Sequence, residues 1–333
     1  MTFPRLLRPL LGGLILLLLV TCSTRTTLVD ASPWARQTLK RLTLRQKIAQ
    51  MMVYHMRLDY LSAESAQWKE IQGILDSDGM GSLHVWGGDA SSALTLLNDM
   101  QRRSEIPILV QADLEYGLKG RFKGGTALPW PMALTATGDP ELAFEAGRIT
   151  AEEGRALGIH VALAPVVDVN NNPENPIINT RAFSEDPDQV IQYATRFMQG
   201  LQASGMLATA KHFPGHGDTQ TDSHGSLAKI PSDPERLWAI ELKPFQALID
   251  AGVELVMVGH LDAGDFQNVK FHGHSLKGVV SNFAAPLVQE ITRRIEDQGT
   301  TGKDITLSDD FIKMEKLIFD LADDLKEIRL NFS

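Results

Sequence analysis

Residues 207–224 read LATAKHFPGHGDTQTDSH, an apolar run with β character that drops into a loop carrying three histidines, two aspartates and a lysine. A strand ending in a dense polar loop is where an α/β scaffold puts chemistry, because the strand end is fixed and the loop reaches the substrate. Two chemistries are open to such residues. His212, His216, Asp218, Asp222 and His224, joined at a barrel mouth by Asp309 and His260, offer N and O ligands for a metal. Pro214 and the glycines, however, forbid a helical H-x-x-x-H face. His272-Gly273-His274 reads as solvated surface. The other chemistry is acid/base work with a nucleophile. Asp222 stands two residues from His224, so an extended loop turns both to one side, where the carboxylate fixes the tautomer and stabilises the imidazolium. Asp309 can act as a carboxylate nucleophile, and Asp113, Arg181, Lys211 and His212 can clamp sugar hydroxyls. Together these point to glycosyl transfer to water through a covalent intermediate.

Positioning these residues requires a repeating β-then-α chain. Apolar runs at 52–56, 81–86, 108–112, 161–169, 207–210, 255–258 and 305–307 read as seven strands, the fourth buried on both faces. Helical spacing recurs between them. Thr43 and Gln46 form a capping box ahead of Leu44, Ile48 and Met51. Ala93, Leu97 and Met100 mark a second helix, and Asp139-Pro140 caps a third that reaches Leu157. Val190, Ala194, Phe197 and Leu201 give a fourth. Asp233-Pro234 opens a fifth, which Pro244 must kink or divide, and Leu287, Ile291 and Ile295 mark a sixth. Seven such units favour an α/β fold of the closed TIM-type, (β/α)8-like barrel kind, as a single domain. Asp113, Asp168, Lys211, His212, His260 and Asp309 would then share one mouth. Phe311, Met314, Ile318, Leu321, Leu325 and Ile328 follow helical rather than strand spacing, so the last βα unit is missing or altered.

The chain has 333 residues, 43% hydrophobic and 22% charged, with a formal charge of −9 and no basic stripe after residue 45, which argues against a nucleic-acid partner. Its one cysteine, Cys22, excludes an internal disulfide and a Cys-ligated zinc site. Arg5 and Arg8 precede the apolar run 10–20, the pattern of a secretory signal. Leu19-Val20-Thr21-Cys22 resembles a bacterial lipobox. The expectation is an exported protein, held to a membrane through a lipid on Cys22 and facing the periplasm or cell exterior. Residues 1–22 are then the signal, 23–33 a flexible tether, 34–315 the barrel and 316–333 a divergent C-terminal helix.

KHFPGHGDTQTDSH resembles the signature of glycoside hydrolase family 3, in its single-domain β-N-acetylhexosaminidase branch. LTLRQKIAQMM, QADLEYGL, GRITAEEGRALGIHVALAPVVDVNNNP, NTRAFSEDP and LSDD follow in the family's order over about residues 40–315. The resemblance implies a TIM-type barrel that removes terminal N-acetylglucosamine with retained stereochemistry, using no metal or other cofactor. It also implies Asp309 as nucleophile, His224 as general acid/base oriented by Asp222, and Asp113, Arg121, Arg181, Lys211 and His212 as substrate-binding residues. A neutral imidazole does not repel an anionic nucleophile, and its unperturbed pKa of about 6.5 suits the role. The expected function is a retaining exo-β-N-acetylglucosaminidase acting on short glycans such as peptidoglycan fragments or chito-oligosaccharides. Its rivals are a β-N-acetylglucosaminide phosphorylase and an inactive glycan-binding lipoprotein. Two departures stand out. Tyr116 occupies a position near Asp113 where the family usually has glycine, and only 23 residues follow Asp310.

Overall fold

The structure, a computed structural model, describes residues 33–221, 228–229, 234–259 and 261–262. Contacts divide the chain into an N-terminal unit, residues 1–43, and a second unit, residues 44–333. In the first, helix α1 (Pro33–Arg41) opens on proline, whose fixed φ suits the first helical position, and closes on Lys40 and Arg41, which complement the helix dipole. The expected tether therefore gives way to helix at Pro33. The expected leader and Cys22 lie outside the described residues.

The second unit alternates helices and strands. In chain order these are α2 (Leu44–Met51), β1 (Val53–Leu58), α3 (Ala66–Ser77), β2 (Ser82–Asp89), α4 (Ala90–Arg103), β3 (Leu109–Ala112), β4 (Phe122–Lys123), α5 (Pro131–Thr135), α6 (Pro140–Ala156), β5 (Val161–Ala162), α7 (Pro187–Ala203), β6 (Leu207–Phe213), β7 (Ala228–Lys229), α8 (Pro234–Ala239), α9 (Leu242–Asp250), β8 (Leu255–Val258) and β9 (Leu261–Asp262). The helix starts are written in the sequence. Asp89, Asp139 and Asp186 each accept a backbone N–H from the first turn of α4, α6 and α7, and proline follows the last two.

The strands β1-β2-β3-β5-β6-β8 lie side by side, all parallel, with β4 also paired to β2. Spatial order thus follows chain order. A doubly wound sheet reverses its order at a switch point, whereas a barrel is laid down stave by stave. This is the barrel pattern. The edge strands β1 and β8 are not joined to each other among the described residues. The expected strand at 305–307, the helices beyond residue 285 and the question of the last βα unit lie outside them.

Two expectations need correction in detail. Residues 161–169 are buried throughout, as read, but only Val161–Ala162 is regular strand. Pro165 has no N–H to give a ladder, and the run continues through irregular bonds such as Thr209 N–H to Ala164 O and Val167 N–H to Lys211 O. The helix opened by Pro234 is divided, as read, but before Pro244 and not at it. The break falls between α8 and α9, so that Pro244 sits in the first turn of α9, where a missing N–H costs nothing.

One face of the sheet packs beneath the helices. Leu83 and Val85 of β2, Val110 and Ala112 of β3 and Ala208 and Ala210 of β6 are buried against Leu97, Met100, Phe197 and Leu201. Alternation sends His55, His84, Gln111 and Lys211 to the other face, with His55, His84 and Gln111 in register. The tightest helix contact is between α6 and α7. A Cβ on Gly147 would stand 2.1 Å from Phe197 O, and one on Gly200 2.0 Å from Phe144 O. The backbones approach too closely for any side chain. Gly200→Ala should lower the unfolding free energy by about 2 kcal/mol through overpacking, measured by urea titration; an unchanged midpoint would contradict this packing.

Candidate active site

Lys211, near the end of β6, is the hub. Its side chain is 1% exposed, and its ammonium lies 2.7 Å from Asp113 Oδ1 and 2.6 Å from Glu115 Oε1. Asp113 and Glu115 follow β3 with one residue between them, which turns both toward the lysine. Asp113 Oδ2 also faces Arg121 Nη2 at 3.1 Å and His84 Nε2 at 3.2 Å, while Arg121 Nε donates to the Asp113 carbonyl. Glu115 receives Arg181 in two parallel bonds, from Nε at 2.9 Å and Nη2 at 2.8 Å. A bidentate pair of this kind fixes the guanidinium plane as well as its charge.

A buried charge is tolerated only when its neighbours neutralise it. Burial pushes the Asp113 carboxyl up, but Lys211, His84 and Arg121 outweigh it and hold the group far below the usual carboxylate range. Burial also raises Glu115, and Lys211 and Arg181 overturn that, bringing it down to about 2. Arg181 loses by burial and gains more from Glu115, so it stays firmly cationic. Both carboxylates bind fewer protons folded than unfolded. Their stabilisation is complete above the ordinary glutamate value of 4.5 and fades, for Glu115, as pH falls toward about 2. Glu115→Gln should therefore flatten the slope of unfolding free energy against pH between those values; an unaltered slope in urea titrations would contradict this assignment.

Asp168, buried beyond β5, anchors the loop after β6. Its carboxylate accepts from the backbone N–H of His212 and of His216 and lies 2.7 Å from His212 Nδ1. His212 Nε2 faces Arg181 Nη2 at 3.5 Å. Arginine can only donate, so Nε2 carries the lone pair and Nδ1–H points at Asp168. His216 is buried, with Nδ1 2.6 Å from Thr219 Oγ1 and its carbonyl accepting from Asn175 Nδ2. That is the loop-satisfying role a histidine there more often has. Asp218 pairs with Arg236. A Cβ on Gly217 would fall 1.7 Å from Val169 O, so glycine is what lets the loop lie against the chain after β5.

The structure thus unites five residues read from the sequence as substrate-binding: Asp113, Arg121, Arg181, Lys211 and His212. The residues read as catalytic, Asp222, His224 and Asp309, lie outside the described residues, as do His260 and Asp310. Sequence reasoning missed Glu115 and His84 as members of the site and gave Asp168 no role beyond a strand end. The Asp-x-Glu spacing at 113–115 was the available signal for Glu115. Tyr116, the residue in place of glycine, lays its ring over Gly120, where a Cβ would meet Tyr116 Cζ at 2.8 Å, and against Trp130, with centroids 3.7 Å apart.

The family model described as the Glycosyl hydrolase family 3 N terminal domain matches residues 43–281. The chain belongs to this family. The match to family 3 takes in every element from α2 to β9 and the positions of Asp222 and His224, and it stops short of Asp309. A second match, to an Hpt domain, covers residues 246–330. Where the two overlap, the described residues side with family 3: β8 pairs in parallel with β6, and Leu248, Val253 and Val256 are buried in the same core. Among known relatives, a beta-N-acetylglucosaminidase/beta-glucosidase from Cellulomonas fimi is 34% identical over 238 residues, 70% of this chain and 40% of the relative. The solved family 3 beta-N-acetylglucosaminidase from Paenibacillus sp. str. FPU-7 superposes with a TM-score of 0.60 at 36% identity, covering 66% of this chain and 42% of that one. The beta-glucoside phosphorylase BglX gives 0.61 at 29% identity, over 67% and 38%. This chain spans less than half the length of each of the three.

Proposed function

We propose that the Lys211 cluster is the sugar-binding subsite of a retaining exo-β-N-acetylglucosaminidase, acting on short glycans such as peptidoglycan fragments or chito-oligosaccharides. The observation that carries this is the convergence of Asp113, Glu115, Arg121, Arg181, Lys211 and His212 at the strand ends of a family 3 sheet. Charged, mutually neutralised donors and acceptors suit a ligand covered in hydroxyls. His224 is assigned the acid/base role, with Asp222 orienting it, and Asp309 the nucleophile. In the first step Asp309 bonds to the anomeric carbon while protonated His224 gives its proton to the departing oxygen. In the second, neutral His224 takes a proton from water, the water oxygen bonds to that carbon and Asp309 is released.

The test is release of 4-nitrophenol from its N-acetyl-β-glucosaminide. Asp309→Asn should abolish it, and His224→Ala should slow poor leaving groups more than good ones; equal losses would remove the acid role. A second reading is favoured by a specific finding: family 3 similarity ends at residue 281, and Asp309 lies in the Hpt match. On that reading the cluster binds N-acetylglucosamine without turning it over, and wild type and Asp309→Asn bind alike with no product. Likeness to a phosphorylase adds an arm with inorganic phosphate, in which sugar 1-phosphate would identify the acceptor. The proposal also includes export through residues 1–22 and acylation at Cys22, supported by the Arg5/Arg8 leader and lipobox-like run. Labelled palmitate should enter the wild type and not Cys22→Ala.

A further inference from the structure

His84 has no part in the reading above, yet its ring is buried and both its nitrogens are engaged. Nε2 lies 3.2 Å from Asp113 Oδ2, and Nδ1 lies 3.2 Å from Nδ1 of His55, its register partner on β1. The imidazoles meet edge to face with centroids 5.1 Å apart, and Trp86 stands 4.8 Å from one and 6.0 Å from the other. His55 itself is exposed, so the chain of contacts runs from the surface to the carboxylate.

Counting hydrogens gives this chain a direction. The Asp113 carboxylate, which already receives Lys211 and Arg121, is ionised, so the hydrogen in its contact with His84 sits on Nε2. Two Nδ1 atoms at this separation hold one hydrogen between them: two would collide, and none would set lone pair against lone pair. A neutral His84 protonated at Nε2 can only accept at Nδ1. In that neutral form the hydrogen between the two rings belongs to His55.

We infer that His84, oriented by His55, is a positioning residue that holds the Asp113 carboxylate in its sugar-binding orientation, through directed bonds from His55 Nδ1–H to His84 and from His84 Nε2–H to Asp113. The other charged groups around it are accounted for. Arg121 and Lys211 act on the pair through Asp113, and Arg57, two residues along β1, turns to Asp59. Partial desolvation of its ring against His84 and Trp86 lowers the pKa of His55 and favours the neutral form this donation uses. The inference rests on the cluster being the sugar subsite, and it is tested in a way that separates the two.

Long-range 1H–15N correlation of the imidazoles in the full chain reads tautomers directly and needs no turnover. At neutral pH His84 should show its hydrogen on Nε2 and His55 on Nδ1; His84 with its hydrogen on Nδ1 overturns the inference, whatever the enzyme does. In kinetics, His84→Leu should raise KM for the chromogenic glycoside about tenfold with kcat within about twofold, and His84→Gln, which keeps an N–H for Asp113, should recover most of it. His55→Ala should fall between them and populate both His84 tautomers. If turnover is absent, the same series is read as the dissociation constant of N-acetylglucosamine, and equal values for wild type and His84→Leu overturn the positioning role.

Discussion

Lys211→Met should lower the unfolding free energy by about 3–5 kcal/mol, because it strips a buried cation from the buried Glu115 and the largely buried Asp113. Methionine fills much the same volume, so the loss is electrostatic and not a cavity. With the ammonium gone, Asp113 keeps Arg121 and His84, and Glu115 keeps Arg181, but the atom that bridged the two acids is missing. Arg121 and Arg181 then offset only part of the repulsion between the two acids. The decisive comparison is with the triple variant Lys211→Met/Asp113→Asn/Glu115→Gln, which removes the stranded charges together with their partner. It should regain a large share of the lost stability in urea titrations, since removing a buried network costs less than breaking one. A triple variant no more stable than Lys211→Met would show that the lysine acts through packing.

Asp113→Ala should cost the fold less than Lys211→Met, because Lys211 keeps Glu115, and should be severe for the sugar. An ionised carboxylate offers about four acceptor positions. Lys211, Arg121 and His84 take three of those on Asp113, which leaves one that a sugar hydroxyl could use. A hydrogen bond to a charged group contributes roughly 1.5–3 kcal/mol, and the alanine variant also frees Arg121 and Lys211 to reorient, so kcat/KM should fall roughly 10²- to 10⁴-fold. Asp113→Asn keeps the shape and loses the charge, and it should lie between. Thermal denaturation of the alanine variant close to that of wild type, combined with unchanged kcat/KM, would remove Asp113 from the site.

Much of this was written in local chemistry. The Asp-Pro start of α6, the apolar run of β6 and the polar residues at its end are short-range signals, and each holds in the structure. What escaped depends on pairings between distant segments. His84 lies inside an apolar run and looks like one more strand residue until β1 and β3 bring His55 and Asp113 to it. Glu115 shows its purpose only once Lys211, 96 positions away, and Arg181, 66 away, arrive beside it. The two-residue strand β4 carries no periodicity at all. Helix α3 was missed for a different reason. Its stripe is only Trp68, Ile71 and Leu75, in a segment where Gly73 weakens helical preference, and Ser65 supplies the cap that tips the balance. The barrel pattern was legible because strand order follows chain order, a property that repeating units convey without any long-range pairing being known.

The decisive measurement is a calorimetric titration of N-acetylglucosamine into the full chain and into Asp113→Ala. Saturable binding by the wild type that disappears in the variant is the predicted result. A wild type that takes up no sugar, or a variant that binds as tightly as its parent, would contradict the placement of the sugar on Lys211 and its partners.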